Sequence, residues 1–175
     1  DDAGNSISGW FTLTVQDTTP PVITVPADIV VEATRPNGEV VFYDELSATD
    51  AVTATSTLTV SPPSGSTFML GTTVVTATAI DEFGNEDSKS FNVIVQDTIP
   101  PTIYEVYPPD GSVTDATQPA IGAAFFDSAS GISPSSVLMT LDGQAVDVQV
   151  TEFSISYGPP APLTYAEHHV SLYFT

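Results

Sequence analysis

The chain has 175 residues, no cysteine, and 22 acidic against 2 basic residues, which gives a formal net charge of −20. Such a charge repels phosphate backbones and anionic bilayers, so we expect cations rather than nucleic acid as partners; the lack of cysteine excludes disulfides and thiolate sites. Because 41% of the residues are hydrophobic, the chain has apolar material for folded cores, but no apolar run approaches the roughly 18 residues that span a bilayer, and we expect no membrane insertion.

The first feature along the chain is a segment that occurs twice. Residues 1–23 and 81–103 share Asp-x-x-Gly-Asn, an alternating strand pattern and Asp-Thr-x-Pro-Pro-x-Ile at a constant offset of 80 positions. Gly and Asn favour a turn, the alternation predicts a strand, and the prolines end it. We interpret each copy as the last hairpin of a β-domain followed by a stiff linker. Residues 1–17 are therefore expected to complete a preceding or neighbouring Ig-like domain.

Residues 18–97 are predicted to form one complete all-β unit. Turn signals such as Pro-Pro-Ser-Gly at 62–65 separate short runs rich in Thr and Val, and no useful helical periodicity occurs. Several short strands at this spacing predict an Ig-like β-sandwich. The predicted strands are residues 22–25, 29–32, 39–43, 54–61, 73–80 and 90–96.

Residues 98–175 are predicted to form a second Ig-like sandwich that lacks its last strand. Strands are expected at 120–126, 137–141 and 145–151, and the pair Asp142-Gly143 is a hairpin signal between the last two. After a Gly-Pro-Pro loop, the final strand is expected at 169–175. The fold class is therefore tandem Ig-like sandwiches.

The two open ends of the chain fit each other. Placed before residue 1 of another copy, the last strand matches residues 73–80 before Asp81, because its apolar residues fall at the corresponding positions. We expect the sequence to be one period of an end-to-end array in which residues 1–17 complete the second domain of a neighbouring copy. Covalent tandem repetition and strand donation between separate subunits both fit this pattern. The residues predicted to meet between copies are Phe11, Leu13, Val15, Val170, Leu172 and Phe174.

Several longer motifs carry a resemblance to known modules. Residues 18–97 contain Pro20-Pro-Val-Ile-Thr-Val-Pro-Ala-Asp28, the run from Gly71 to Ala79 and the Asp81 turn, and they resemble the hyalin-repeat (HYR) domain, an Ig-like module of extracellular proteins. Residues 101–175 are similar to bacterial Ig-like repeats of surface proteins, through Pro-Asp-Gly at 109–111 and Leu-Asp-Gly at 141–143. These resemblances imply an adhesion or stalk function at the cell surface.

Calcium is the predicted cofactor. In an Ig-type sandwich, the loops before the third and last strands lie at the pole where the chain enters, so acidic side chains from separate loops are expected to meet there. Hard oxygen ligands in loops suit Ca²⁺, although Asp and Asn also favour turns without any metal. The predicted ligands are Asp17, Asp50, Asp81 and Asn85 at the first junction, and Asp97 and Asp127 with Asp1, Asp2 and Asn5 of the next copy at the second.

The predicted function is structural. We expect a repeat or protomer of an extracellular filament or surface stalk, joined end to end with copies of itself and stiffened by calcium at the junctions. The alternative is an adhesin or glycan-binding module that contacts surface proteins or glycans through loops 127–136 and 157–166. No Gly-x-Ser-x-Gly elbow, phosphate loop or zincin motif occurs, so we expect no enzymatic activity.

Overall fold

The computed structural model describes residues 2–4, 6–52 and 57–174. These residues form β-strands and one short 3-10 turn at Pro134–Ser136, which confirms the all-β prediction. The strands are β1 Val22–Thr24, β2 Ile29–Glu32, β3 Glu39–Val41, β4 Ser47–Thr49, β5 Thr57–Ser61, β6 Ser66–Phe68, β7 Gly71–Ile80, β8 Glu86–Gln96, β9 Thr102–Tyr107, β10 Ile121–Phe126, β11 Val137–Leu141, β12 Gln144–Ala145, β13 Gln149–Val150, β14 Ser154–Tyr157 and β15 Val170–Phe174.

The chain divides into two compact units. Unit 1 contains the described residues of 1–27, 43–64 and 75–91, and unit 2 those of 28–42, 65–74 and 92–175. Residues 71–74 of β7 and 92–96 of β8 belong to unit 2, and the other residues of both strands belong to unit 1. The domain boundaries predicted at 17/18 and 97/98 stay a prediction.

Unit 1 contains three neighbouring strands in the order β5-β7-β8. β5 pairs antiparallel with β7, from Thr57 opposite Ile80 to Ser61 opposite Thr76, and β8 lies on the other side of β7. A separate antiparallel pair is formed by β1 and β4. The alternation of β7 places small side chains inside, so that Ala77 and Ala79 pack with Ile23 in a fully buried cluster.

In unit 2, the end of β8 carries a parallel partner. β2 pairs with it from Ile29 opposite Val93 to Glu32 opposite Gln96, while β3 and β6 form an antiparallel pair. The turn before β3 requires glycine, because Gly38 has φ +81° and a Cβ there would lie 2.0 Å from the carbonyl oxygen of Phe68.

The C-terminal part of unit 2 contains two antiparallel sheets. One has the strand order β13-β14-β10-β9 and the other β12-β11-β15. Their inward residues form one core in which Phe125, Met139 and Ile155 are buried, and Phe125 contacts Phe174 edge to face at 5.1 Å. Asp142 and Gly143 have φ values of 53° and 78°, which confirms the hairpin predicted between β11 and β12.

Strand β15 lies at the edge of its sheet. Within the described residues, β11 is the one strand hydrogen-bonded to it, with Val137 opposite Phe174 and Leu141 opposite Val170. β7, by contrast, lies between β5 and β8. Each of the two strands has an antiparallel partner on one side, β11 for β15 and β5 for β7, and among the described residues only β7 has a second neighbour.

The N-terminal segment, residues 6–16, forms no strand. The strand predicted here is expected to pair with a neighbouring copy and stays a prediction. A β-strand needs a hydrogen-bonded neighbour, and no strand of the described residues is paired with this segment. Five of its apolar side chains are between 79% and 99% exposed: Ile7, Trp10, Phe11, Leu13 and Val15. The second copy of the same pattern forms β8.

Other strand predictions need smaller corrections. The strand predicted at 54–61 begins at Thr57, and residues 54–56 lie outside the described part of the chain. The strand predicted at 145–151 is two short strands, β12 and β13. Four strands were not predicted because they are short, polar, or follow prolines, and their apolar alternation is weak: β4, β6, β9 and β14.

Candidate functional site

Three aspartates predicted as metal ligands meet in unit 1. One carboxylate oxygen each of Asp17, Asp50 and Asp81 lies within 4.8 Å of the other two. They come from separate segments, since Asp17 precedes the linker to β1, Asp50 follows β4, and Asp81 begins the turn between β7 and β8. Asp17 and Asp81 are only 9% and 6% exposed. The predicted first junction set is therefore assembled for these three residues.

The Asp81 turn explains how one of these carboxylates is held. Its Oδ1 accepts hydrogen bonds from the backbone N–H groups of Phe83 and Asn85 at 2.9 and 2.8 Å, and its Oδ2 accepts the Asn85 side-chain amide at 2.8 Å. Gly84, with φ +85°, allows the chain to close this loop. Asp-x-x-Gly-Asn therefore encodes a rigid carboxylate.

Opposing forces act on the Asp81 carboxyl group. Burial acts to raise its pKa, and so does the charge of Asp50, but the hydrogen bonds from Asn85 and Phe83 outweigh both and hold the pKa below its ordinary value. Asn85, predicted as a ligand, acts as a donor in this arrangement, because its amide also points to the Asp17 carbonyl oxygen at 3.3 Å.

Asp17 has an unsatisfied oxygen. Its Oδ1 accepts the backbone N–H of Thr19 at 3.0 Å, whereas its Oδ2 is buried with no hydrogen-bond partner in the described part of the chain. Leaving a buried acceptor unsatisfied costs about 1–3 kcal/mol, and more for a charged group. Asp50 is half-buried, and its Oδ1 accepts the backbone N–H of Val52 at 2.8 Å. Three carboxylates thus lie together at one partly buried point.

The second predicted set is arranged differently. Asp97 accepts the backbone N–H of Ile99 on Oδ1 at 3.1 Å and that of Ser130 on Oδ2 at 2.8 Å. Asp127 accepts two backbone N–H groups of its own loop, at residues 129 and 131. The hydrogen bonds from Ser130 lower the pKa of Asp97 despite some burial. Asp97 thus contacts the 127–131 loop by accepting a backbone N–H group of that loop.

The remaining predicted ligands of this second set stay a prediction. Asp2 is exposed, and Asp1 and Asn5 lie outside the described residues. In the described ranges 2–4, 6–52 and 57–174, these three aspartates of unit 1 are the one set of three or more acidic, histidine or cysteine side chains close enough to share an ion.

The inter-copy residues predicted in β15 lie on a strand at the edge of its sheet, as far as the structure describes the chain. Val170 is 44% exposed, and Leu172 and Phe174 are half-buried. The residues predicted to correspond to them in β7, which has a neighbour on each side, are fully buried: Val75, Ala77 and Ala79. Among the described residues, the strand with two neighbours is thus the more deeply buried one.

A histidine tether before β15 was not predicted as a contact. His168 Nδ1 lies 2.7 Å from Asp142 Oδ2, its Nε2 lies 3.0 Å from the Thr164 carbonyl oxygen, and Asp142 Oδ1 accepts the backbone N–H of His169 at 2.9 Å. The hydrogen bond with the Asp142 carboxylate raises the pKa of His168. This contact holds the entry of β15 against the β11–β12 turn.

Residues 16–95 match the family model of the HYR domain. The chain is also similar to hyalin of Lytechinus variegatus, with 43% identity over 111 residues that cover 59% of this chain and 21% of that protein. Hyalin of Strongylocentrotus purpuratus is 40% identical over 111 residues, which cover 59% of this chain and 9% of that protein. The chain thus spans about a fifth or less of these relatives.

The HYR match confirms the resemblance predicted for residues 18–97, whereas the bacterial Ig-like repeat at 101–175 stays a prediction. The HYR region contains all three aspartates of the cluster and excludes Asp97 and Asp127. It begins at residue 16, after most of the exposed N-terminal segment. Among the described residues, no helix has the length and apolar character needed to cross a membrane.

Proposed function

We propose that the chain is a structural, adhesion-type module of an extracellular assembly, in which copies are joined end to end by strand complementation. Residues 6–16 of one copy would add a strand beside β15 of the next copy. The HYR match and the similarity to hyalin support an extracellular adhesion role. The observation that carries the assembly proposal is the exposed apolar face of residues 6–16, whose repeated copy is a buried strand.

The donor face is defined by comparison with β8. Phe91, Val93 and Val95 are at most 3% exposed. The residues 80 positions earlier are 89%, 79% and 90% exposed: Phe11, Leu13 and Val15. Burying one such side chain is worth about 1.5–3 kcal/mol, and contiguous exposed apolar patches on soluble proteins mark interaction sites. A neighbouring copy would supply the burial that this segment does not obtain in its own chain.

The acceptor is the free side of β15. The sheet β12-β11-β15 ends where the corresponding order in unit 1, β5-β7-β8, continues with one more strand. A donated strand would satisfy the unpaired N–H and C=O groups of that edge and cover Val170 and Leu172. Residues 6–16 carry the same pattern as β8, so they fit this position in the same orientation.

The linker and charge fit a filament or stalk. Asp17 follows the donor segment, and Thr18-Thr19-Pro20-Pro21 comes next. Pro21 is buried, so little freedom remains between the donor segment and β1. The net charge of −20 keeps assembled strands apart unless cations bridge them. Copies of the same chain are therefore the proposed main partners. No specific observation favours the alternative glycan-binding function at loops 127–136 and 157–166.

The test compares two variants that add the same charge. Leu13→Asp places a carboxylate on the donor face, whereas Gln16→Asp changes a position whose copy, Gln96, is exposed in β8. We expect the wild-type protein and Gln16→Asp to form concentration-dependent polymers in light scattering and electron microscopy, and Leu13→Asp to be monomeric. A synthetic peptide of residues 6–17 should bind the Leu13→Asp monomer and raise its melting temperature.

A monomeric wild-type protein that does not bind the peptide would contradict the proposal. A genetic fusion of two copies separates the two ways of joining them. Amide protection of residues 6–16 of the second copy, measured by hydrogen exchange in a monomeric fusion, would show strand completion within one continuous chain. Protection that appears only in polymers would show exchange between subunits.

A further inference from the structure

The acidic cluster of unit 1 has the features of a cation site. We propose that Asp17, Asp50 and Asp81 together bind one calcium ion. Two oxygens that share a Ca²⁺ at about 2.4 Å lie at most about 4.8 Å apart, and the three carboxylates meet this limit. Three negative charges at one partly buried point repel each other strongly, and a divalent cation would remove most of this repulsion.

The buried oxygen of Asp17 is an independent observation. Asp17 is 9% exposed, and its Oδ2 has no hydrogen-bond partner in the described chain although the rest of its carboxylate is held by Thr19. Buried carboxylate oxygens are ordinarily paired with a donor or a metal. This oxygen belongs to the same carboxylate that approaches Asp50 and Asp81, and it therefore points to a positively charged ligand.

The chain contains its own control for this argument. Asp97 occupies the same place in the second copy of the repeat, as the first residue of the same Asp-Thr-x-Pro-Pro motif. There the second carboxylate oxygen accepts the backbone N–H of Ser130 at 2.8 Å. The first copy has two further carboxylates near Asp17 in place of such a donor. At equivalent positions of the repeat, the second oxygen of Asp97 is thus paired with an N–H group, whereas that of Asp17 is available for a cation.

The donor set favours calcium over softer metals. All three side chains offer carboxylate oxygens, and neither histidine nor cysteine belongs to the cluster. The ligands come from a linker, a loop and a turn, which suits the variable coordination of Ca²⁺ better than the strict octahedron of Mg²⁺. Asp17 is also the residue directly after segment 6–16, so the ion would fix the point where this segment joins the linker to β1.

The experiment measures calcium binding to the full chain by titration calorimetry and thermal unfolding. At a calcium concentration of 100 times Kd, the ratio of folded to unfolded protein is expected to rise about a hundredfold. Asp17→Asn and Asp50→Asn should each weaken calcium binding at least tenfold and reduce the rise in Tm. Asp28→Asn is the matched control, because it removes a carboxylate that lies outside both predicted ligand sets and already accepts two hydrogen bonds from Asn92. Its calcium titration should equal that of the wild-type protein.

Three outcomes would overturn the proposal. The first is the absence of both a binding heat and a shift in Tm with calcium in the wild-type protein. The second is an unchanged calcium response in both Asp17→Asn and Asp50→Asn, with each variant shown to be folded by circular dichroism. The third is an equal response to Mg²⁺ at the same concentration, which would indicate general screening of the acidic surface. The Leu13→Asp monomer should bind calcium like the wild type, so this test is independent of strand complementation.

Discussion

The two copies of the repeated segment share a sequence pattern, but one forms a β-strand and the other does not. Residues 86–96 form β8, which is paired with β2 in parallel and lies beside β7. Residues 6–16 carry the same alternation and form no strand. The alternation of apolar and polar residues predicts which side chains share one face of a strand. Whether the strand forms depends on a hydrogen-bonded neighbour. Among the residues that the structure describes, the second copy has neighbouring strands and no strand is paired with the first.

The aspartate that follows the alternating segment in each copy also differs in its hydrogen bonds. Asp97 has both oxygens paired with backbone N–H groups, at residues 99 and 130. Asp17 has one paired oxygen and one that is buried without a hydrogen bond. Because the local sequence around the two residues is nearly the same, the difference comes from the loop that each one meets in space.

The largest expected difference between the copies concerns their phenylalanines. Phe91→Ala should lower the free energy of unfolding by about 3–5 kcal/mol, because Phe91 is 3% exposed and packs edge to face on Tyr43 at 5.1 Å. Phe11→Ala should change it by less than about 0.5 kcal/mol in the monomer, since Phe11 is 89% exposed. Urea unfolding of dilute protein measures both. A large loss for Phe11→Ala in a monomer would mean that residues 6–16 pack on their own chain.

The second comparison concerns the two aspartates in the presence of a chelator. Asp97→Asn should destabilise the protein by about 1 kcal/mol, because one acceptor of a backbone N–H is replaced by a donor. Asp17→Asn should be neutral or stabilising by up to about 1 kcal/mol, because its new amide group can donate to the neighbouring carboxylates. Thermal unfolding in EDTA compares the two variants. If both substitutions destabilised the protein by similar amounts in EDTA, the proposed difference between the two sites would be wrong.

The smallest expected effect is on the dependence of stability on pH. The pKa of Asp97 is lowered in the folded state by its hydrogen bonds with Ser130, so its contribution is present above the ordinary value of 3.8. This contribution is lost as the pH falls through the lowered folded pKa. Asp97→Asn should therefore lose less stability than the wild-type protein between about pH 5 and pH 2. Equal slopes in denaturant unfolding at several pH values would contradict this assignment.

Much of the fold was predictable because strong local signals exist. The φ values of Asp142 and Gly143 suit a two-residue hairpin turn, and the pair was identified from sequence alone. The alternation in residues 137–141 gave β11 with the bounds that the structure has. β9 and β14 were missed because one follows two prolines with all its residues exposed, and the other lies in a run of Ser and Tyr. Their strand character depends on pairing with β10.

Some features of the candidate site were likewise predictable from local sequence, and others were not. Asp17, Asp50 and Asp81 were predicted from loop position, and Asp81 is held by a turn whose residues are adjacent in sequence. The role of Asn85 as a donor was not predictable, because the direction of an amide depends on which carboxylate it meets. The tether between His168 and Asp142 joins residues 26 positions apart, and no local pattern announces it.

The amino-acid sequence by itself determined the repeat, the all-β class, the turns, and the face of each strand that is apolar. These properties depend on residues that are neighbours along the chain, so glycine, proline and the alternation of side chains specify them directly. Tertiary structure alone decided which copy of the repeat is paired, that β15 ends its sheet within the described residues, and that Asp17 differs from Asp97. Those outcomes depend on hydrogen-bond partners and charges brought together from distant segments, where the local sequence carries no information about what lies opposite.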